Sequence, residues 1–322
     1  MSSADGTLTR FAPSGVTVCF SSRARQIALH FQAIYGTVVV EMPMLRDPER
    51  RALAKLLADD DPRTLRLLEE KLTAMGADAI SALEFVERDG EPSAQQNARQ
   101  MLRSIRSRNA WESFRKFCAA GDDHFDLETA CWLLAKTRYP ELDDLPYRAR
   151  LDQMAKELRE RLTGRETPRG TIEVCNRYLF HTLGFSGNKQ DYYDDDNSYM
   201  NRVLDRRLGI PITLCVLYLL LARRLKLPLV GVSLPAHFLL KWHTPDAQFF
   251  IDTFHEGALL DEEDCRELCA RLGVTFQPSF LLPAMPKIIV LRMCNNLHAI
   301  YAESEAARAE KLAGIIASLM RA

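Results

Sequence analysis

From residue 47 to about 162, apolar residues recur three and four positions apart, the spacing of helices that bury one face. Asp47-Pro48 offers an N-cap and a first-turn proline. Asp59-Asp60-Asp61-Pro62 ends that helix and starts the next. Leu65, Leu67, Leu68, Leu72 and Met75 then keep helical spacing up to Gly76, a C-terminal stop. Further helices are predicted from about Asp78 to Val86 and, after Gly90-Glu91-Pro92-Ser93, up to about Ser107. Short helices separated by Asp-Pro and Gly turns fit one or two helical-repeat units of the HEAT type, and a small helical bundle gives the same pattern. Asp126 to Thr137 and Pro146 to Leu162 also read as helices. A polar loop covers 163–170, and another helix runs from Thr171 to Leu183, stopped by Gly184.

The texture then changes. Residues 184–201, GFSGNKQDYYDDDNSYMN, are rich in turn formers and tyrosine, the composition of a long loop that carries function. Gly209 and Pro211 open the run PITLCVLYLLLARRL, which is hydrophobic on every side and therefore predicts a fully buried helix. Arg223 and Arg224 suit its negative end. Three strands follow, 227–234, 237–242 and 248–252, apolar and aromatic. A hairpin loop at 244–245 or at 243–246 sets His237 directly opposite Asp252, about 5 Å apart at Cβ. A three- or five-residue loop would spoil that pair. Asp261 caps a further helix, and two more are expected from Pro286 to the end.

Composition narrows the class without naming a chemistry. The 322 residues are 47% hydrophobic and 26% charged, with a formal net charge of -1. That is the make-up of an ordinary globular chain, with no global electrostatic reason to bind nucleic acid or an anionic membrane. The longest apolar stretch, Ile212 to Ala222, falls short of the ~20 residues that span a bilayer, and no secretory leader is evident. A cytoplasmic protein is expected, with residues 1–46 a partly loose extension. Eight cysteines include no CxxC pair, so neither a zinc finger nor a thioredoxin-type motif is present. Cys265 and Cys269, four apart on one predicted helix, read as ordinary core residues. His237, His243, Asp252 and His255 raise the question of a metal. The expected register leaves His243 in the hairpin turn and only two ligands together, so no metal and no cofactor is expected.

The segments LGFSGNKQDYYDDDNSYMNRVLDRRLGIPITL, PAHFLLKW and FFIDTFHEGALL resemble the bacterial Sir-B-one family, a branch of the transglutaminase-like superfamily with a papain-like core. The resemblance is good over about 120–275 and reaches loosely back to 47. It implies an α+β fold: a helical, HEAT-like region at 47–107, a transglutaminase-like domain at 108–285 in which a buried helix packs on an antiparallel sheet, and C-terminal helices at 286–322. In active members of the superfamily a Cys at the start of that helix is the nucleophile, a His on the next strand is its base, and an Asp on the following strand orients the His. His237 and Asp252 match the last two. The nucleophile position falls near Pro211 or Ile212, which cannot attack. Cys215 sits one helical turn further, about 5.4 Å, whereas attack needs about 3–3.5 Å. This chain also has PAHF where the family pattern has PGHF, and IDTF where it has IDPF, which puts Ala236 and Thr253 beside the pair.

Three readings follow. In the first, the domain has lost catalysis and binds a protein partner or peptide-like substrate at a His237/Asp252 cleft lined by Tyr192, Tyr193, Asn197, Tyr199 and Thr213. In the second, the chain is a thiol-dependent amide hydrolase or acyl transferase with Cys215 as nucleophile, His237 as base and Asp252 as orienter. In the third, the helical repeats make it an interaction scaffold. The aspartates 194–196 are expected to form a solvated turn.

Overall fold

The computed structural model describes residues 47–59, 61–120 and 125–321. The expected N-terminal extension, 1–46, lies outside them. Four helices come first: α1 (Asp47–Leu57), α2 (Pro62–Met75), α3 (Ala77–Asp89) and α4 (Pro92–Ala119). Asp61 caps α2 by accepting from the backbone N–H groups of Arg63 and Thr64 at 3.2 and 3.1 Å, and Gly76 ends it at φ 67°.

Helix α4 runs through the boundary expected at 107/108 without a break, yet its two halves serve different cores. Ala94, Ala98, Met101, Leu102 and Ile105 pack with Leu53, Leu57, Leu72 and Leu83. Trp111, Phe114 and Cys118 belong to the main core of the remaining chain. The change of partner falls near 107 in packing, while the backbone hydrogen-bond ladder continues.

Next come α5 (Leu127–Arg138), α6 (Leu145–Arg161) and α7 (Pro168–Asn176), the last continuing as a π-helix, Arg177–Thr182. Helix α7 begins inside the segment expected to be loop, because Thr167 caps it and Pro168 suits its first turn. Strand β1 (Ser186–Gly187) pairs in parallel with β2 (Leu208–Gly209) across α8 (Met200–Arg206).

Helix α9 (Pro211–Leu225) is the predicted buried helix, with Pro211 to Tyr218 buried without interruption. It is walled by α6, α8, two strands of the main sheet and a C-terminal helix. Each enclosed Leu or Val contributes about 1.5–3 kcal/mol of apolar transfer. The main sheet is antiparallel throughout, in the order β6-β5-β4-β3-β7. Its strands are β3 (Leu229–Val232), β4 (Leu239–His243), β5 (Gln248–Asp252), β6 (Ala258–Leu260) and β7 (Pro283–Ala284). Leu240, Trp242, Phe249 and Ile251 join the core with α9. On the other face Val232, Leu239 and Phe250 pack against Cys265 and Cys269 of α10 (Glu262–Arg271). Helices α11 (Pro286–Ser304) and α12 (Ala306–Arg321) complete the chain. Among the described residues no helix is long and apolar enough to cross a membrane.

At the C-terminal end of α9, Arg224 grips Glu128 of α5 with two hydrogen bonds of 2.8 and 2.9 Å. Both side chains are largely buried, and Arg148 adds a longer contact of 3.4 Å. Removing one partner of such a pair strands the other charge in a poor solvent. We therefore expect Arg224→Met to destabilise the chain by on the order of 3 kcal/mol in urea unfolding at neutral pH, and Arg223→Met, at an exposed position, to cost much less.

Candidate functional site

The site is built where β4 and β5 reach the same end of the sheet. The hairpin register is displaced by two residues from the expected one: Leu240 lies opposite Ile251 and His243 opposite Gln248, so the loop is 244–247. An even displacement keeps every side chain on its face, and the expected contact survives by another route. His237 lies two residues before β4, in a turn where Ala236 takes φ 53°, and Asp252 is the last residue of β5. His237 Nε2 is 2.9 Å from Asp252 Oδ2. A left-handed alanine costs about 1 kcal/mol, and this is the position where the family pattern has glycine.

Asp252 organises the surroundings. Its Oδ1 accepts from the backbone N–H groups of Phe254 and His255 at 3.0 and 3.3 Å. Its Oδ2 meets both His237 Nε2 and His255 Nδ1, the latter at 2.8 Å. His255 thus joins the pair, which the sequence reading did not expect. It sits on the 3-10 turn Thr253–His255, which brings residue 255 back over 252. His243 is exposed at the hairpin end. Two anchors hold the turn. Gly257, at φ 78°, lies so close to Asn176 that a Cβ would fall 2.3 Å from its side chain. Asn176 donates to the Gly257 carbonyl at 2.8 Å and accepts from Tyr218 of α9 at 3.2 Å. The Phe254 ring covers Gly187 so closely that a side chain there would collide with it. The GFSGN and RRLGIP segments, paired as β1 and β2, are therefore the buttress of this turn.

Cys215 is sealed off. It is fully buried, and its thiol is 3.1 Å from the Thr253 hydroxyl and 3.5 Å from the Phe238 carbonyl. Phe238 and Thr253 are the chain neighbours of His237 and Asp252, so the thiol is satisfied by the residues that alternate with the pair. Burial pushes the thiol far above its ordinary range; the Thr253 hydrogen bond pulls it down and the Asp252 charge pushes it further up. A reactive thiolate needs the reverse environment.

Of the expected cleft residues, Tyr192 lies at the site, with its ring 6.0 Å from Phe254 and in edge contact. Tyr193 stacks edge-on to Tyr192 and is exposed. Asn197, Tyr199 and Thr213 do not line a cleft, because all three are buried and committed. Asn197 donates to the Asp191 carbonyl at 2.7 Å and accepts from Asn188 at 3.0 Å. The Tyr199 hydroxyl is 2.6 Å from that of Tyr301. The Thr213 hydroxyl donates to the Asn197 carbonyl at 2.8 Å and accepts from the Ile210 N–H at 3.1 Å, closing the start of α9. Asp194, Asp195 and Asp196 are not a solvated turn either: they pair with Arg206, Arg138 and Arg202 at 2.6, 3.2 and 2.9 Å.

One residue was missed altogether. Arg292 of α11 donates to Ser233 Oγ at 2.7 Å and lies over the Phe238 ring at 5.8 Å. Among the described residues no carboxylate pairs with it, burial lowers its pKa, and Tyr192 and Cys215 lie close enough to act on its charge. Its only sequence signal is an arginine inside an apolar helix.

This core is that of the transglutaminase-like superfamily, whose family model matches residues 146–295. The chain belongs to the UPF0162 family within that class. It is 37% identical over 190 residues to a UPF0162 protein of Xylella fastidiosa, covering 57% of this chain and 68% of that one. It is also 36% identical over 184 residues to F-box only protein 21 of Mus musculus, covering 54% of this chain and 27% of that protein. With the human F-box only protein 21 the identity is 42% over 134 residues, 39% of this chain and 21% of that one. No solved structure matches the chain.

Burial opposes ionisation of Asp252, but the hydrogen bonds and charges of His237 and then His255 outweigh it and hold the carboxyl at about 2, below its ordinary 3.8. A depressed folded-state pKa adds stability above the unfolded value and loses it as pH falls through the folded one. In EDTA-containing buffer, Asp252→Asn should therefore cost about 2 kcal/mol at pH 7. The gap to wild type should close between about pH 4 and pH 2. Urea unfolding across that range checks it, and a gap independent of pH would remove the carboxylate from the account.

Proposed function

We propose that this chain is a Sir-B-one-type recognition domain: a transglutaminase-like core that binds a protein partner or peptide-like ligand at the His237/Asp252 end of the sheet and does no thiol chemistry. The observation that carries this reading is the enclosure of Cys215. Its sulfur hydrogen-bonds to Thr253 and to a backbone carbonyl, and burial favours its neutral form. The family's nucleophile position, near Pro211 and Ile212, holds no group able to attack. A Cys215–His237–Asp252 hydrolase or acyl transferase would need a thiol that both ionises and meets substrate.

The exposed face of the site has the character of a binding surface. Tyr192, Phe254 and His255 present ring edges and faces, and behind them the half-buried Arg292, held by Ser233 and the Leu234 carbonyl, supplies a cation with no acidic partner among the described residues. A peptide-like ligand with a carboxylate fits that combination, since a guanidinium pairs with carboxylate in a fixed fork. The shared segment with F-box only protein 21 supports a domain that serves as a module in larger proteins.

Two measurements test the reading. Iodoacetamide treatment of the native chain from pH 6 to pH 8, followed by peptide mapping, should leave Cys215 unlabelled until denaturant is added. Labelling of the native chain below pH 7 would establish a reactive thiolate and overturn the proposal. On a peptide array, wild type and Cys215→Ala should retain the same acidic peptides, and Arg292→Gln should lose them.

A further inference from the structure

The geometry points to a divalent transition-metal site formed by His237, Asp252 and His255, with positions left open for water or an oxygen of a bound ligand. The donor set is two imidazoles and one carboxylate, a combination that suits zinc and other first-row divalent ions when further positions remain free. The three donor atoms, His237 Nε2, Asp252 Oδ2 and His255 Nδ1, all lie within 4.8 Å of one another. The two nitrogens stand 2.9 and 2.8 Å from the same oxygen. Ligands about 2.1 Å from a metal and at right angles to one another are about 3.0 Å apart. Tetrahedral angles ask for about 3.4 Å, so an ion can replace the two hydrogen-bonded protons when the imidazoles draw back by at most about half an ångström.

The supporting shell is already in place. Asp252 Oδ1 is held by two backbone N–H groups, so Oδ2 is the oxygen that remains for an ion. Such outer bonds fix the direction of a ligating carboxylate. His255 is carried by a turn pinned through Gly257 and Asn176, which ties it to α9. The Ala236 turn sets His237 at its place before β4. The carboxylate side chain is 5% exposed and those of His237 and His255 are 15% and 54% exposed, so the ligands grade from core to solvent and an ion has a path of entry. The other close carboxylate cluster, Asp194 to Asp196, lacks this freedom because arginines occupy it. Nothing in the assignment requires Cys215, and it does not depend on which ligand docks on the domain.

Metal binding can be read directly on the purified full chain, with no partner present. After EDTA dialysis, calorimetric titration with zinc ion in a non-chelating buffer should give one site per chain. His255→Gln, at an exposed position, should weaken it at least tenfold, as should His237→Gln, while His243→Gln should leave it unchanged. Circular dichroism confirms that each variant is folded. Titration with cobalt ion should give visible bands without the near-ultraviolet absorption of a thiolate ligand. No binding by the wild type at 100 μM zinc ion overturns the site. So does binding that persists in the His237→Gln/His255→Gln double variant, or a thiolate band with cobalt. None of those outcomes touches the acidic-peptide reading, which the array decides separately.

Discussion

The constraint that governs this molecule is the helix at Pro211–Leu225, whose every face is apolar. Apart from the exposed Arg223 near its C-terminal end, such a helix has no solvent side and must be enclosed, so sheet, helices and C-terminal segment are arranged as its walls. Enclosure then decides the chemistry. A cysteine within it behaves as a small hydrophobe, and creating a thiolate there would cost the desolvation of a charge. The polar needs of the helix are met at its ends, by the Thr213 hydroxyl at the start and by Arg224 with Glu128 at the finish, and between them by Thr253 against Cys215 and Asn176 against Tyr218.

The His237–Asp252–His255 cluster lies just outside that enclosure. Asp252 stands at the edge of the core, where a buried carboxylate requires several donors to remain ionised. It has four, two from the backbone and two from imidazoles, divided between its two oxygens. The division matters physically. One oxygen builds the turn that carries His255, and the other aims two nitrogen donors at a single point. The same carboxylate is thus a structural keystone and the centre of a donor cluster.

Much of this was legible in the chain. The buried helix, the α+β order and the three main strands follow from patterns of period 3.6 and 2 and from turn residues, whereas the His237–Asp252 contact was expected from a register the hairpin does not adopt. The hairpin register could not be fixed, because Thr244 to Ala247 offer several loops that differ by two residues and leave the faces alike. Strands β6 and β7, of three and two residues, carry too little periodicity to announce themselves. His255 escaped because its placement comes from a 3-10 turn, not from strand alternation. Asn197, Tyr199 and Thr213 were misplaced for the opposite reason: polar residues in the long loop and at the start of the buried helix read as ligand-facing, whereas here Asn197 and Thr213 satisfy buried backbone and Tyr199 pairs with Tyr301. Arg292 had no local signal, since its partner surfaces, Ser233 and the Phe238 ring, lie far away in sequence, Ser233 by 59 residues.

The two departures from the expected family pattern beside the site have different physical consequences. Thr253, where proline is the family's residue, puts a hydroxyl against the Cys215 sulfur and within 3.4 Å of the Pro211 carbonyl, stitching the turn to the start of the buried helix. Ala236, where the resemblance leads one to expect glycine, holds the left-handed turn before His237 at φ 53°, a conformation that costs an alanine more than the unfolded chain's lost freedom returns. One residue occupies the thiol, and the other places strain in the turn that carries the histidine. Neither interferes with Asp252, because its backbone bonds are needed to form the 253–255 turn whether or not any catalysis takes place. A chain under those constraints holds its His–Asp geometry whether or not a thiol faces it, so the geometry is not, by itself, evidence for a nucleophile.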